Sequence, residues 1–148
     1  MAIWKKPVTL DLIRGLMKNT MTEHIGMEVT EIGDDYLVGT LPVDNRTRQH
    51  MGIIHGGASV VLAETLGSAA SNMSCEPGFH IVGLDVNANH VRPGRPPFVK
   101  GIARPLHLGS RTHVWEIRIT DAEDKLVCIS RLTTAVIKET TSDSRETP

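Results

Sequence analysis

Glu64 is the only charged residue in the run 55–73, HGGASVVLAETLGSAASNM, which otherwise holds apolar and small residues. Its neighbours Val60, Val61, Leu62, Ala63 and Leu66 leave no obvious polar face, and a carboxylate in such a setting is costly unless paired or used. A surface glutamate, or a buried one paired with arginine, is the ordinary alternative. Ser68 lies four residues on and shares the helical face of Glu64, and Thr65 and Ser71 widen its small, polar side. A glutamate beside a hydroxyl can hold a nucleophilic water between them. It can also attack a carbonyl directly and form an anhydride. The residues alone leave both routes open. His55, Gly56 and Gly57 stand just before the run, so the helix opens on nearly bare backbone. Leading N–H groups of a helix lack internal partners and attract negative charge, and the Gly56 N–H can polarise a carbonyl oxygen. His55 itself can be a cap or can work beside that carbonyl. Gln49, in the preceding loop, can donate or accept at the same place. A carboxylate and an oxyanion site on one short element point to acyl chemistry.

A second group lies later in the chain: His90 and Arg92 in NANHVRP, and His107, Ser110 and Arg111 in LHLGSR. Singly each reads as a solvated loop residue. Together they offer guanidinium groups, imidazoles and a glycine-containing turn, a cradle for phosphate or pyrophosphate. Other chemistries fit poorly. Ser59 lacks the following glycine of a nucleophile elbow, the histidines and cysteines have no metal-ligand spacing, and there is no P-loop or dinucleotide fingerprint.

These residues need elements to hold them. Residues 9–17 form a short amphipathic helix with Thr9 as N-cap and Leu10, Ile13, Leu16 and Met17 on one face; residues 22–25 add a turn that Gly26 ends. Residues 27–32 alternate with period two, Met27, Val29 and Glu31 to one side, and pair in a hairpin with 36–41 across Gly33-Asp34-Asp35. A loop at 43–54, too polar for the core, delivers the chain to the long helix, which Pro77 and Gly78 break. Four strands follow as a meander: 81–91, 98–106, 112–120 with Trp115, Ile117 and Ile119 inward, and 126–137. One long helix among runs of strands means α+β with an antiparallel sheet. An apolar helix is fully covered only where such a sheet curls around it. The 148 residues fit one domain over 1–138, with a polar, disordered tail at 139–148. A net charge of −1 with dispersed basic residues excludes a duplex nucleic-acid footprint. No apolar run approaches a membrane span, the N-terminus is no secretory signal, and two lone cysteines, Cys75 and Cys128, fit a reducing, cytoplasmic setting.

The chain resembles the hotdog-fold acyl-CoA thioesterases of the PaaI-like group, and within it the bacterial subgroup of dihydroxynaphthoyl-CoA and enterobactin-proofreading thioesterases. The carrying stretches are PVDNRTRQHMGIIHGGASVVLAETLGS, VGLDVNANHVRP, PLHLGSR and SRLTTAV, and even the IWKK start is similar. The resemblance spans about residues 3–137. It implies a curled antiparallel sheet wrapped around one central helix, and a homo-oligomer, a dimer of dimers with active sites at the dimer interface. It implies that Glu64 is nucleophile or general base and that Ser68 helps place water. Gln49, His55 and the Gly56 N–H of the second subunit would grip the thioester carbonyl. The positions His90, Val91, Arg92 and Pro93, then His107, Leu108, Gly109, Ser110, Arg111 and Thr112, with Gly83, would bind coenzyme A, which is part of the substrate; no metal or other cofactor is implied. The expected reaction is hydrolysis of an aromatic or hydroxyaromatic acyl-CoA, such as 1,4-dihydroxy-2-naphthoyl or hydroxybenzoyl. A thioester on an acyl carrier protein is the alternative substrate, and a non-catalytic acyl-CoA-binding protein is the alternative class. A hotdog hydratase would want a His/Asp pair in the helix region, where this chain supplies Glu64 without a nearby histidine. The family commonly reads Gln-Pro-Phe-Gly where this chain has Gln49-His50-Met51-Gly52, which changes a wall near the acyl pocket. The segment 93–98 is proline-rich here.

Overall fold

The structure is a computed structural model and describes residues 1–140. The order of elements is α1 (Leu10–Met17), α2 (Met21–His24), β1 (Glu28–Ile32), β2 (Leu37–Pro42), α3 (Gly56–Ser74), β3 (Phe79–His90), β4 (Phe98–Leu108), β5 (Thr112–Asp121) and β6 (Leu126–Lys138). The strands form a single antiparallel sheet in the order β1-β2-β4-β5-β6-β3. The expected tail lies, from residue 141 on, outside the described residues. No helix among the described residues is long and apolar enough to cross a membrane.

The long helix, the hairpin and all four late strands are where the periodicity puts them, and Trp115, Ile117 and Ile119 are fully buried. Thr9 caps α1 through its side chain, which accepts from the Leu12 N–H at 3.1 Å, and Gly26 closes α2 with φ +80°. Four expectations need correction. Only β4-β5-β6 is a meander; β3 pairs with β6 at the far edge, and the chain then crosses to β4. Local alternation defines strands but carries no information on which strands pair. The β1 face changes phase at a bulge between Val29 and Glu31, so Val29 is buried while Glu31 is exposed. Leu16 is 64% exposed, because only the Ile13–Met17 side of α1 meets the core. The 43–54 loop is not wholly outside, since Val43, Thr47 and Ile54 are buried. Thr47 Oγ1 donates to the Pro42 carbonyl, and the His55 N–H to the Thr47 carbonyl at 2.8 Å, which pins this loop to the start of α3.

The packing of α3 on the sheet is close, and glycines make it so. Gly39 on β2 and Gly101 on β4 are paired across the strands. A Cβ on either would lie 2.9 Å from the Leu66 side chain, and one on Gly67 would lie 2.6 Å from Leu132 of β6. Leu62, Ala63, Leu66 and Ala70 are consequently buried completely. The opposite stripe is not. Val61, Glu64, Thr65, Ser68 and Asn72 stay half-buried, so the sheet covers one side of the helix and leaves one open. Expectation of an all-round wrap is therefore met only in part within one chain. At its C-terminal end α3 is strapped by the N-terminal segment: the Lys5 and Lys6 N–H groups donate to the Met73 carbonyl at 2.8 and 3.1 Å, and Trp4 Nε1–H donates to the Gly33 carbonyl at 2.8 Å.

Filling the glycine groove should lift α3. Gly101→Val is expected to cost about 1–3 kcal/mol, the range for overpacking a tight core. Urea unfolding should show a lower midpoint at an unchanged slope; an unaltered midpoint would contradict the close seating.

Candidate active site

The start of α3 is built from two glycines and two imidazoles. His55 is the N-cap, and its Nδ1 accepts from the Gly57 N–H at 2.8 Å. That bond makes Nδ1 the acceptor, so the neutral ring carries its proton on Nε2. The cap therefore turns a donor outward instead of excluding His55 from chemistry. A Cβ on Gly57 would lie 3.0 Å from His55 Nδ1, and a Cβ on Gly56 would lie 3.0 Å from His90 Nε2. Each glycine thus makes room for one imidazole. The Gly56 N–H has no acceptor among the described residues, which leaves it directed at whatever binds the helix start.

Gln49 reaches the same place. Its loop closes tightly: the Gln49 N–H donates to the Ile53 carbonyl at 2.9 Å, and Gly52, at φ +82°, returns a bond to the Gln49 carbonyl at 3.0 Å. The side-chain oxygen of Gln49 accepts from the Met51 N–H, so the amide NH2 is the free end. A cavity of about 430 Å³ brings together Gln49, Gly56, His90, Val91, Arg92 and Pro93. Arg92 is partly committed to the scaffold there, since Nη1 donates to the Leu126 carbonyl at 2.6 Å and its N–H to the Val127 carbonyl at 3.3 Å.

Glu64 lies elsewhere on the rod, eight residues beyond Gly56, about 12 Å at ~1.5 Å rise per residue. Its carboxylate lies over the backbone of β3: a Cβ on Gly83 would stand 3.1 Å from Glu64 Oε1. Next to this point β3 has a bulge, between Gly83 and Asp85, a feature that commonly re-aims chain beside a functional group. Gly83 therefore lies beside Glu64. Ser68 is on the same open stripe. No described residue of the chain forms a hydrogen bond or ion pair with the Glu64 carboxylate.

The expected cradle is not gathered in one chain. His90 pairs with Cys128 on β6, whereas Thr112 pairs across β5 and β6 with Ala135. Seven residues of strand separate those registers, about 23 Å at ~3.3 Å per residue. Leu108, Gly109 and Ser110 instead line a separate cavity of about 530 Å³ at the C-terminal end of α3, with Phe79 and the N-terminal segment as walls. His107 and Arg111 are exposed beside it. Among the described residues no group of His, Cys, Asp and Glu is placed to hold a metal ion.

One site neighbour escaped the sequence reading. His113, 3% exposed, lies under α3 with Nδ1 2.8 Å from Ser71 Oγ, and Ser71 Oγ is 2.7 Å from Thr134 Oγ1. Burial pushes its pKa down, the nearby His107 adds to this, and backbone hydrogen bonds at Gly109 and Ser71 pull the other way. Its signal was present: His113 shares the inward phase of Trp115, Ile117 and Ile119.

The thioesterase superfamily matches residues 51–128. The chain is 48% identical over 135 residues to the 1,4-dihydroxy-2-naphthoyl-CoA hydrolase of Escherichia coli K12, covering 91% of this chain and 99% of that one. It is 45% identical to the proofreading thioesterase EntH of Cronobacter turicensis, covering 91% and 98%. A crystal structure of a thioesterase from Haemophilus influenzae superposes with a TM-score of 0.90 at 47% identity, over 92% of this chain and 95% of that one.

The two roles of His55 are separable. Asparagine is a good N-cap, so His55→Asn should keep the melting temperature while losing the outward donor. Turnover of an acyl-CoA thioester should fall about 100-fold, the scale of one carbonyl-polarising donor. His55→Ala should lose both stability and turnover. Wild-type turnover in the asparagine variant would reduce His55 to a cap.

Proposed function

The chain belongs to the thioesterase superfamily, and from that premise we propose that it hydrolyses an aromatic or hydroxyaromatic acyl-CoA with Glu64 as the catalytic carboxylate. The observation that carries this is the placing of Glu64: a carboxylate without a partner among the described residues, on the open stripe of α3 and close over the Gly83 backbone, where a Cβ would stand 3.1 Å from Oε1. The reaction adds water across the C–S bond, giving the free acid and the coenzyme A thiol. In one route Glu64 takes a proton from a water held with Ser68, and that water attacks the carbonyl carbon. In the other the carboxylate attacks, expels the thiolate as a mixed anhydride forms, and water then cleaves the anhydride. In both, negative charge develops on the carbonyl oxygen. The Gly56 N–H, the Nε2–H of His55 and the Gln49 NH2 are the donors suited to receive it.

The ~12 Å between Gly56 and Glu64 means that one copy does not supply both halves to one carbonyl. A second copy does. The outer edge of β3 is unpaired among the described residues, and Val82 and Leu84 on it are 43% and 60% exposed. Antiparallel pairing of two β3 edges about their middle brings the Gly56 end of one helix towards the Glu64 of the other. It also sets the His90–Pro93 end of one copy beside the cavity of the other that Leu108, Gly109 and Ser110 line. The cradle that one chain leaves about 23 Å apart is then assembled, with Arg92, Ser110 and Arg111 meeting the phosphates of coenzyme A. We read the enzyme as a dimer or a dimer of such dimers in the cytoplasm, where the buried free thiols of Cys75 and Cys128 stay reduced.

Both named relatives inform the substrate. One is a hydrolase of a hydroxyaromatic CoA thioester by name, and the other a proofreading thioesterase, at nearly equal identity. Carrier-bound thioesters are therefore the second reading. A comparison of kcat/KM for matched CoA and carrier-protein thioesters, each with aromatic and aliphatic acyl groups, decides between them. We expect the aromatic CoA thioester to lead by at least tenfold. Glu64→Gln should fold, bind substrate and lose about 10³-fold in turnover, within the range for a general base. Full activity in that variant would sink the mechanism. In a single turnover in ¹⁸O water, label absent from the product and present in Glu64 marks the anhydride route.

A further inference from the structure

We propose that the cavity between the 107–112 turn and the C-terminal end of α3 is the adenine subsite, with the Phe79 ring as its stacking face. This rests on the proposed hydrolysis of an acyl-CoA and names the part of the substrate that this end of the molecule holds. The cavity, of about 530 Å³, forms where four segments converge: Ile3 of the N-terminal segment, Phe79 at the start of β3, Leu108 at the end of β4 and Val136 of β6 all line it. That volume falls in the usual range for a small-molecule site, roughly 300–1,000 Å³. Ser110 lines it as well, with the exposed Arg111 next in the chain. Lys5 and Glu76 complete its mouth: their charged ends are 3.5 Å apart and both side chains are more than half exposed.

Three parts of the substrate compete for this space. Ser74, which lines it, stands ten residues beyond Glu64, about 15 Å along the helix at ~1.5 Å per residue. That is out of reach of an acyl group whose carbonyl is at Glu64, and within reach of an extended pantetheine arm. Phosphates seek cations and N–H donors, whereas Ile3, Phe79, Leu108 and Val136 are apolar. The base is the flat part that remains, and its phosphates then fall on the Ser110–Arg111 rim. Phe79 is held ready for it. Gly78, at φ +86°, turns the chain back from α3. The Phe79 N–H donates to the Glu76 carbonyl at 3.1 Å, and the Phe79 carbonyl accepts from Lys6 Nζ at 2.5 Å. β3 pairs Phe79 with Lys138 of β6. The backbone beneath the ring is thus fixed, and the residue stays half-buried. A base stacks on such a ring through its π-face, at little cost in ordering. Adenine also presents an amino donor beside a ring-nitrogen acceptor, and Glu76 with Lys5 offers an acceptor beside a donor.

The test compares one acyl group carried on coenzyme A and on 4′-phosphopantetheine, which lacks the adenosine. Phe79→Leu keeps apolar bulk and removes the stack; Phe79→Trp keeps a stacking face. We expect Phe79→Leu to raise KM for the CoA thioester about tenfold, the scale of one lost base–aromatic contact, with kcat within twofold. The same variant should leave kcat/KM for the phosphopantetheine thioester within twofold. Phe79→Trp should hold KM for the CoA thioester within twofold of wild type. Leu108, 39% exposed, gives a second wall that can be cut without touching the core, and Leu108→Ala should repeat the pattern with at least a threefold rise in KM. Adenosine 3′,5′-bisphosphate, titrated by calorimetry, should bind about tenfold more weakly to Phe79→Leu, which reads the site without turnover. Equal losses on both thioesters, a loss in Phe79→Trp matching that in Phe79→Leu, or an unmoved KM in Phe79→Leu would overturn the proposal. The two readings fail separately: a wild-type enzyme that cleaves neither thioester refutes the proposed activity, and bisphosphate binding that Phe79→Leu does not weaken refutes the adenine site.

Discussion

The structure depends on how closely one helix can approach one sheet. Glycines at 39 and 101 pair across β2 and β4 and open a groove, and Leu66 fills it. Gly67 lets Leu132 in from the other side. Dispersion energy falls steeply with a gap of even half an ångström, so this seating fixes the rotation and register of α3 as well as its distance. Rotation is what matters for function. With Leu62, Ala63, Leu66 and Ala70 facing the sheet, the 100° step of a helix leaves Val61, Glu64, Ser68 and Asn72 on the side the sheet does not reach. The carboxylate is held at the boundary between core and solvent, half-buried and over a glycine backbone. A helix rotated by one residue would either bury Glu64 against aliphatic side chains or expose it fully.

The same seating explains why the helix needs capping from outside its own length. Close packing fills one flank, and the two ends must then be satisfied by other segments. At the N-terminus the work is done by His55, with Thr47 anchoring the loop before it. At the C-terminus it is done by the Lys5 and Lys6 backbone, and Lys6 Nζ adds bonds to Asn72 Oδ1 and the Phe79 carbonyl at 3.2 and 2.5 Å. These ties differ in what they leave over. His55 satisfies the Gly57 N–H and spares that of Gly56, so the dipole at the helix start keeps one donor for a ligand. At the other end the Met73 carbonyl is covered by the chain itself, with the Lys6 ammonium beside it.

Much of this could be read from the sequence, and what could not has a physical cause. Periodicity located α3, the hairpin and the late strands because burial on one face acts residue by residue. The odd charge at Glu64 and the bare start at His55-Gly56-Gly57 were legible for the same reason: each is a local departure from its surroundings. The crossing of β3 to the far edge was not legible, since pairing depends on the shape of the whole sheet. Nor was the change of phase in β1, because a bulge inserts one residue without a compositional mark. Leu16 stays exposed because an apolar stripe wider than the available core leaves part of itself outside. The resemblance groups Gly83 with the coenzyme A residues, and its position opposite Glu64 is a fact of packing that only the structure adds. His113 was overlooked because a lone histidine in a strand has no motif; only its inward phase marked it.

The isolated chain also contains a tension that its own residues do not resolve. Among the described residues it keeps a carboxylate without a partner, a twelve-residue edge strand with one side unpaired and the two halves of the proposed anion cradle at opposite ends of β6. An exposed edge of that length is a liability that proteins ordinarily blunt with charge, proline or cover. Here β3 carries Asp85 near its middle but is otherwise open, with Val82 and Leu84 exposed. The proposed pairing of that edge with its own copy would answer all three at once. It would cover the strand, bring a second helix start towards Glu64, and close the ~23 Å between the two halves of the cradle. A different partner on the edge would cover the strand but would supply neither a helix start nor a matching cavity. The economy of that single operation is what supports the proposal that the active site lies between two copies of the chain and not within one.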